Sequence, residues 1–255
     1  MLQLPRYIVY DIIRSKVVLL YTAFLLAICF SFFSMEENSY KAILSLLNIV
    51  LLVVPLVSII FATIHFYNSY EFIQLMLSQP ISRSRILLSE YAGVVFSLSV
   101  GFIAGVGLPV LLYSNNFSGW ALVLSGLLLT WVFTAIAFWA AVKARDKAKG
   151  IGVALLLWFY FAILYDGLLL IVLFGLQDYP MEKATLVMAA CNPIDLTRIF
   201  MMLQLDVSAL MGYTGALYKD FFGSAWGILF TTGILLLWVA LPLWHAVYSF
   251  NKKDL

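Results

Sequence analysis

The chain has 255 residues, of which 64% are hydrophobic and only 11% charged, with a formal net charge of +2 and a mean hydropathy of +1.02. Soluble domains carry about 25% charged residues, so this composition excludes an ordinary soluble protein and indicates a polytopic membrane protein. The sequence contains no G-x-x-x-x-G-K-[ST], H-E-x-x-H or G-x-S-x-G motif, and it predicts no enzyme and no catalytic, cofactor-binding or metal-binding residue.

The first predicted element is a short helix at residues 4–16. It interleaves apolar side chains with Arg6, Asp11 and Arg14, and Pro5 suits a helix start. This pattern is typical of a helix that lies in the membrane interface. The alternative is a simple basic flank of the first membrane span.

Six later stretches are apolar and long enough to cross a bilayer, which takes about 17 to 25 helical residues. We predict spans at residues 17–34, 42–66, 92–113, 120–142, 150–176 and 221–250. Pro55 predicts a kink in the second span, and Gly101 with Gly105 forms a G-x-x-x-G that permits close helix contact. The predicted fold class is therefore all-α, with residues 1–255 forming one transmembrane domain.

The distribution of Lys and Arg predicts the orientation. The segments on the side of the 68–91 loop hold eleven of the 15 basic residues, and those on the opposite side hold the other four. The positive-inside rule then places both termini and this loop in the cytoplasm. We expect a multi-pass protein of the bacterial inner membrane.

Residues 177–220 form the one long external segment, which is apolar enough to suggest a seventh span. Pro193, Asp195 and Arg198 would lie inside such a span, where an unpaired charge costs about 3 kcal/mol. We therefore predict a re-entrant helical hairpin between the fifth and sixth spans. Asn192 or Asp195 can cap its second helix, and Asp195 can pair with Arg198.

The cytoplasmic loop at 68–91 carries an amphipathic pattern. Glu71, Gln74 and Ser78 recur at helical spacing and form one polar face. The other face carries Phe72, Ile73, Met76 and Leu77. The loop therefore predicts a short helix on the membrane face that a soluble partner could grip, and the alternative is a basic juxtamembrane loop that only orients the chain.

A second helix is predicted directly after this one. Pro80 stops the first helix, and Ser82 can cap the next. Arg83 and Arg85 then fall in the first turn, where positive charge opposes the helix dipole. We therefore expect these two side chains to have a partner.

Asp166 is the most informative single residue, because it lies near the middle of the fifth span. An ionisable group at that depth is a functional-site hypothesis by default, and the alternative is a structural hydrogen bond to a neighbouring Tyr or Ser. A proton relay is disfavoured, because we predict no second buried carboxylate in other spans. We interpret His65 and His245 as interfacial polar residues rather than ligands.

Methionine is concentrated in the external segment. Five of the eight residues lie there beside Cys191, namely Met181, Met188, Met201, Met202 and Met211. Soft sulfur ligands select Cu(I), whereas methionine is also the flexible filler of apolar helix surfaces. Both interpretations stay open.

The run EFIQLMLSQPISRSRILLSE at 71–90 follows the pattern E-x-x-x-x-x-L-x-x-P-[IV]-S-R. With the six spans, the amphipathic start and the hairpin before the last span, it resembles the permease subunit of ABC-2 type (type V) ABC transporters over essentially the whole chain. The resemblance implies a coupling helix for a separate ATPase. The implied coupling residues are Glu71, Phe72, Gln74, Leu75, Ser78, Pro80, Arg83 and Arg85.

Two further runs, Trp158–Asp166 and Asn192–Arg198, are most similar to permeases that serve copper-site maturation of nitrous oxide reductase. That resemblance implies a homodimer in membrane lipid, with a cytoplasmic ABC ATPase that holds ATP–Mg. It also implies a periplasmic β-helical copper-binding protein that docks on the external hairpin. The docking residues would be Asn192, Pro193, Asp195 and Arg198.

The chain itself is expected to hold no cofactor and to bind no nucleic acid. Two other functions stay open. One is an ABC-2 exporter of a lipid, peptide or drug, and the other is a membrane assembly scaffold that works without an ATPase.

Overall fold

The computed structural model describes residues 15–36, 38–144, 146–175, 187–205 and 225–252. Within these ranges every regular element is a helix, and six helices are long and apolar enough to cross a membrane. The prediction of an all-α, multi-pass membrane protein with six spans is therefore confirmed. The predicted interfacial helix at 4–16 lies almost wholly outside the described residues, as do 177–186 and 206–220 of the predicted hairpin.

We number the helices in chain order. They are α1 (Lys16–Met35), α2 (Ser39–Asn68), α3 (Tyr70–Leu77), α4 (Arg83–Tyr113), α5 (Phe117–Lys143), α6 (Lys147–Val172, with helical backbone to Gly175), α7 (Pro193–Gln204) and α8 (Ala225–Asn251). All of these except α3 and α7 correspond to predicted spans. Turns of π-helix interrupt α4 at Ile103–Gly107 and α6 at Tyr160–Leu164.

The helix α4 begins at Arg83, where the sequence predicted a second helix, and it continues into the third span, which the sequence placed from residue 92. Ile86, Leu87 and Glu90 are all buried in this first part of α4. Their spacing places them on one face of a helix, so packing against the core holds residues that look polar and loop-like in the sequence. The polar stretch therefore contains two helices with a short turn between them.

Polar side chains cap the start of four of the spans. Ser15 Oγ accepts a hydrogen bond from the Val18 amide at 3.3 Å at the start of α1. Asn38 accepts a hydrogen bond from the Tyr40 amide at the start of α2, and Asn116 accepts one from Gly119 in α5. Asp146 does the same for the Lys149 amide at the start of α6, and this bond lowers the pKa of the Asp146 carboxyl. Such caps satisfy amides that have no partner inside the helix, so they fix where the spans begin.

The helix α5 forms the centre of the bundle. In its most apolar stretch of 18 residues, 83% of the residues are buried. The corresponding shares are 11% in α6 and 17% in α8. Helices α2, α4 and α8 pack around α5. The outer faces of α6 and α8 are left to lipid or to another chain.

The G-x-x-x-G of α4 is used as the sequence predicted. A methyl group at Gly101 would lie 2.8 Å from Thr22 Oγ1, and one at Gly105 would lie 2.7 Å from Leu25 Cβ. Both distances are too short for real contacts, so only glycine allows α1 to approach α4 this closely.

Candidate functional site

The short helix α3 is an amphipathic element between two spans. Ile73 is fully buried and anchors its inner face. Phe72, Met76 and Leu77 are partly buried and pack against the core. Glu71, Gln74, Leu75 and Ser78 are exposed. The predicted amphipathic helix is confirmed, and its outer surface surrounds one exposed leucine with polar side chains.

The turn after α3 contains Pro80, as the sequence predicted. The hydroxyl of Ser78 donates to the Leu75 carbonyl at 2.7 Å and closes the end of the helix. Ser82 occupies the residue before α4, but its side chain makes no capping hydrogen bond. Ser82 therefore holds the predicted capping position, but the predicted side-chain hydrogen bond to α4 is not formed.

The basic start of α4 meets the end of α8. Arg83 Nη1 lies 3.5 Å from the Asn251 carbonyl, to which it donates. Ser84 and the Asn251 side chain exchange hydrogen bonds of 3.2 and 2.9 Å. The carbonyl end of a helix carries partial negative charge, which explains why Arg83 is tolerated at the positive end of α4. Arg85 is exposed.

A buried contact between a histidine and a carboxyl group joins α2 to α4 beside the basic start of α4. Glu90 Oε2 lies 2.9 Å from His65 Nε2, and the two side chains are only 1% and 16% exposed. The prediction that other spans hold no buried carboxylate is therefore wrong. His65 lies in the last turn of its span, and the sequence did not indicate its contact with Glu90. The signal was present in the sequence, because Glu90 follows Ile86 and precedes Val94 at four-residue spacing on the apolar face.

The second polar site joins α6 to α7. Arg198 Nη1 lies 2.5 Å from Asp166 Oδ2 and 3.2 Å from Asp195 Oδ1. The predicted pair between Asp195 and Arg198 is confirmed. The partner of Asp166 is this arginine, rather than the Tyr or Ser that we weighed from the sequence.

Asn192 fastens the start of α7. Its Oδ1 accepts from the Ile194 amide at 3.0 Å, which confirms the predicted cap. Its Nδ2 donates to the Phe161 carbonyl and to Asp195 Oδ2, both at 2.8 Å. Phe161 belongs to the π-helical turn of α6, where the regular hydrogen-bond ladder is interrupted and a carbonyl can accept from outside.

Asp166, Asp195, Arg198 and Asn192 form what we name the α6–α7 polar cluster. It contains two carboxylates and one guanidinium, and Asp195 is 4% exposed. Burial raises the pKa of the Asp195 carboxyl to about 7, and a hydrogen bond and negative charge from Asp166 add to that effect. Low dielectric disfavours a second unbalanced negative charge, so the cluster favours a protonated Asp195.

Three further bonds hold the described part of the external segment against the spans. Tyr165 donates to the Met188 carbonyl at 2.5 Å, and Trp238 Nε1 donates to the Ala190 carbonyl at 3.0 Å. The Ser118 hydroxyl donates to the Gln204 carbonyl at 3.2 Å. The segment therefore contacts α6, α8 and α5.

The methionines of this segment have different surroundings. Met201 is fully buried among apolar side chains and acts as core filler, whereas Met188 and Met202 are partly exposed. Met181 and Met211 lie outside the described residues. Within the described part of the chain, no group of three or more His, Cys, Asp or Glu could hold a metal ion.

Comparison with known proteins relates these features to a transporter family. The sequence profile of the family described as "ABC-2 family transporter protein" matches residues 9–255. This chain belongs to the ABC-2 transporter family.

Two relatives carry the same description as each other, "Probable ABC transporter permease protein NosY". The relative from Stutzerimonas stutzeri is 28% identical over 223 residues, which cover 80% of this chain and 75% of that protein. The relative from Pseudomonas aeruginosa is 29% identical over 213 residues, or 78% of this chain and 74% of that protein. The chain is thus an ABC-2 permease similar to the NosY proteins.

Proposed function

We propose that α3 is the coupling helix through which a separate cytoplasmic ABC ATPase drives this permease. One observation carries the proposal. Ile73 anchors an eight-residue helix between two spans, while Glu71, Gln74 and Leu75 remain exposed on it. An exposed apolar side chain inside a polar rim is the usual form of a protein-docking surface.

In this proposal the energy source is another chain. The sequence has no phosphate-binding loop of the G-x-x-x-x-G-K-[ST] type, so ATP–Mg would be held by the partner ATPase. The resemblance to NosY-type permeases implies a NosF-like ATPase and a second copy of this chain. The wide exposed faces of α6 and α8 leave room for that copy.

We further propose that the permease serves copper-site maturation of nitrous oxide reductase through a periplasmic, β-helical, NosD-like copper-binding protein. The similarity to NosY proteins supports this subfamily. The partner would dock on the hairpin at 177–220. Of the residues that the sequence suggested for docking, Asn192, Pro193 and Asp195 are buried, so with Arg198 they would hold the hairpin in place beneath the docking surface rather than form it. Movement of α6 would reach this surface directly, because Arg198 and Asn192 bond to α6.

The same contacts support a re-entrant hairpin. Ala190 and Asn192 bond to Trp238 and Phe161, each of which lies near the middle of its span. In this arrangement the N-P break reaches far into the membrane from the periplasmic side. The excess of Lys and Arg on the opposite side supports cytoplasmic termini in the inner membrane.

Co-purification tests the coupling role. A tagged permease, expressed with the genes beside it on the chromosome, should bring down an ABC ATPase in equal amount. Glu71→Ala should leave the permease inserted but weaken ATPase recovery and reduce copper loading of nitrous oxide reductase by at least about fivefold. Glu36→Ala is the matched control, because it removes a glutamate from the turn on the other side of the membrane. It should change neither ATPase recovery nor copper loading.

The same experiment separates the alternatives. If an ATPase is recovered but the copper loading of nitrous oxide reductase is unchanged in the Glu71→Ala strain, an exporter of a lipid, peptide or drug is favoured. Recovery of no ATPase from a functional strain would favour a scaffold and would overturn the proposal. Full copper loading in an Asp166→Asn strain would assign that carboxylate a structural role only.

A further inference from the structure

A single imidazole nitrogen lies where three helices meet. His65, in the last turn of α2, places Nε2 2.9 Å from Glu90 Oε2 of α4. The same Nε2 lies 3.3 Å from Ser69 Oγ, and Ser69 is the residue between α2 and α3. One side chain therefore connects the short exposed helix with both spans that flank it.

The burial of Glu90 indicates that this contact matters. The carboxylate is 1% exposed and lies among apolar neighbours such as Ile86, Leu87 and Val94. Burying a carboxylate costs more free energy than its ion pair usually returns, and an apolar residue could fill the same space. A buried pair at such a position is therefore better explained by the single arrangement of helices that it enforces than by added stability.

Ser69 is the point about which α3 could turn. Its amide donates to the His65 carbonyl at 2.9 Å, and its own carbonyl accepts from the Ile73 amide at 2.8 Å. It thus ends α2 and begins α3. Its hydroxyl makes no capping bond to α3 and faces His65 instead. A rotation of α3 about Ser69 would therefore disturb the imidazole directly.

We propose that His65 and Glu90 are positioning residues that lock α3 to the ends of α2 and α4. With the pair intact, a force applied to α3 moves both spans together. Without it, α3 still presents Glu71 and Leu75 to the ATPase but can turn without moving α4. This inference rests on the proposed coupling role of α3.

The chain provides its own reporter for a test. Cys191 is exposed and free at the start of the α7 region, whereas Cys29 is buried. In a Cys29→Ser background, one environment-sensitive fluorophore on Cys191 reports on the start of α7, well away from α3. The complex of this permease with its ATPase, reconstituted in phospholipid vesicles, is then followed on addition of ATP–Mg.

Three permeases are compared with the parent. Glu90→Gln replaces the carboxyl group by an amide of the same shape. The double variant with His65→Glu and Glu90→His restores the contact with the two residues exchanged. Ser97→Ala is the matched control, because it removes a buried α4 hydroxyl that bonds the Gly93 carbonyl of its own helix.

The parent and Ser97→Ala should respond equally to ATP. The Glu90→Gln permease should bind the ATPase and support ATP hydrolysis as the parent does. The ATP-induced change in its Cys191 fluorescence should nevertheless be at least about fivefold smaller. The exchanged pair should recover at least about half of the response, which a purely structural role would not predict.

A Glu90→Gln permease with the same fluorescence response as the parent would overturn the inference. So would a folded double variant, His65→Glu with Glu90→His, whose fluorescence response stays as low as that of Glu90→Gln. Where Glu90→Gln fails to fold, Ser69→Ala removes the hydroxyl without uncovering a charge. A reduced response in Ser69→Ala supports the inference, and a parental response overturns it. No ATP response in the parent itself would instead refute the proposed coupling function.

Discussion

Asp166 and Arg198 are separated by 32 residues in the sequence, yet Asp166 Oδ2 lies 2.5 Å from Arg198 Nη1. This ion pair connects α6, the least buried span, with α7 of the external segment. Asp195 shares the same guanidinium at 3.2 Å. A shift of α6 is therefore transmitted to α7 through a charged contact rather than through apolar packing alone.

Loss of Arg198 should destabilise the bundle more than loss of the charge on Asp166. Arg198→Ala removes the guanidinium that both Asp166 and the buried Asp195 contact, and it should destabilise the protein by about 2 kcal/mol because Asp166 and Arg198 are partly exposed. Asp166→Asn leaves Arg198 paired with Asp195, so its cost should be about 1 kcal/mol. Thermal unfolding of the two variants in one detergent measures the order. An Asp166→Asn variant less stable than Arg198→Ala would contradict the structure.

The thermal stability should also depend on pH through Asp195. The pKa of its carboxyl is raised to about 7 in the folded protein, and an unfolded aspartate titrates near 4. Between about pH 4 and pH 7 the folded state therefore keeps a proton that the unfolded state releases, and stability falls as the pH rises. Asp195→Asn should flatten this slope in melting curves, whereas a slope unchanged by that substitution would refute the assignment.

The close contact between α1 and α4 should tolerate no side chain. Gly105→Ala would place a methyl group 2.7 Å from Leu25 Cβ and should cost about 1 to 3 kcal/mol. Gly152→Ala is the matched control in another span, because nothing lies within 4 Å of its added methyl group. Equal melting temperatures for the two variants would argue against the predicted helix contact.

The cytoplasmic charges should matter for the partner more than for the fold. Reversing Arg83 and Arg85 to Glu should leave the permease inserted but uncouple ATP hydrolysis from function, because the surface beside α3 changes sign. The effect should weaken at high salt, since exposed charges are screened. ATP hydrolysis and copper loading are measured in parallel, and unchanged coupling at low salt would count against the role of both arginines.

Much of this fold could be predicted because the bilayer requires long apolar helices. The six spans, the amphipathic α3 and the glycine contact all follow from local periodicity. The cap by Asn192 and its Asp195–Arg198 pair also lie within a few residues of each other. Local spacing is sufficient for such features.

The contacts between distant helices could not be predicted in the same way. The spacing of Glu90 with Ile86 and Val94 could have indicated its burial, but its partner could not be predicted, because His65 lies on α2. Asp166 looked unpaired, because Arg198 lies on another helix. The acceptor for Asn192 is a carbonyl freed by a π-helical turn, which has no clear sequence pattern. Tertiary packing decides all three.

Site-specific photo-crosslinking tests the central claim most directly. Leu75 is 66% exposed at the centre of the outer face of α3, so a photoreactive amino acid there would contact whatever binds this surface. The same amino acid at Leu112, which is 70% exposed at the opposite end of α4, is the control. We predict that the Leu75 position crosslinks to a cytoplasmic ABC ATPase and the Leu112 position does not. A Leu75 crosslink to a periplasmic protein, or no ATPase crosslink in a functional complex, would contradict the account.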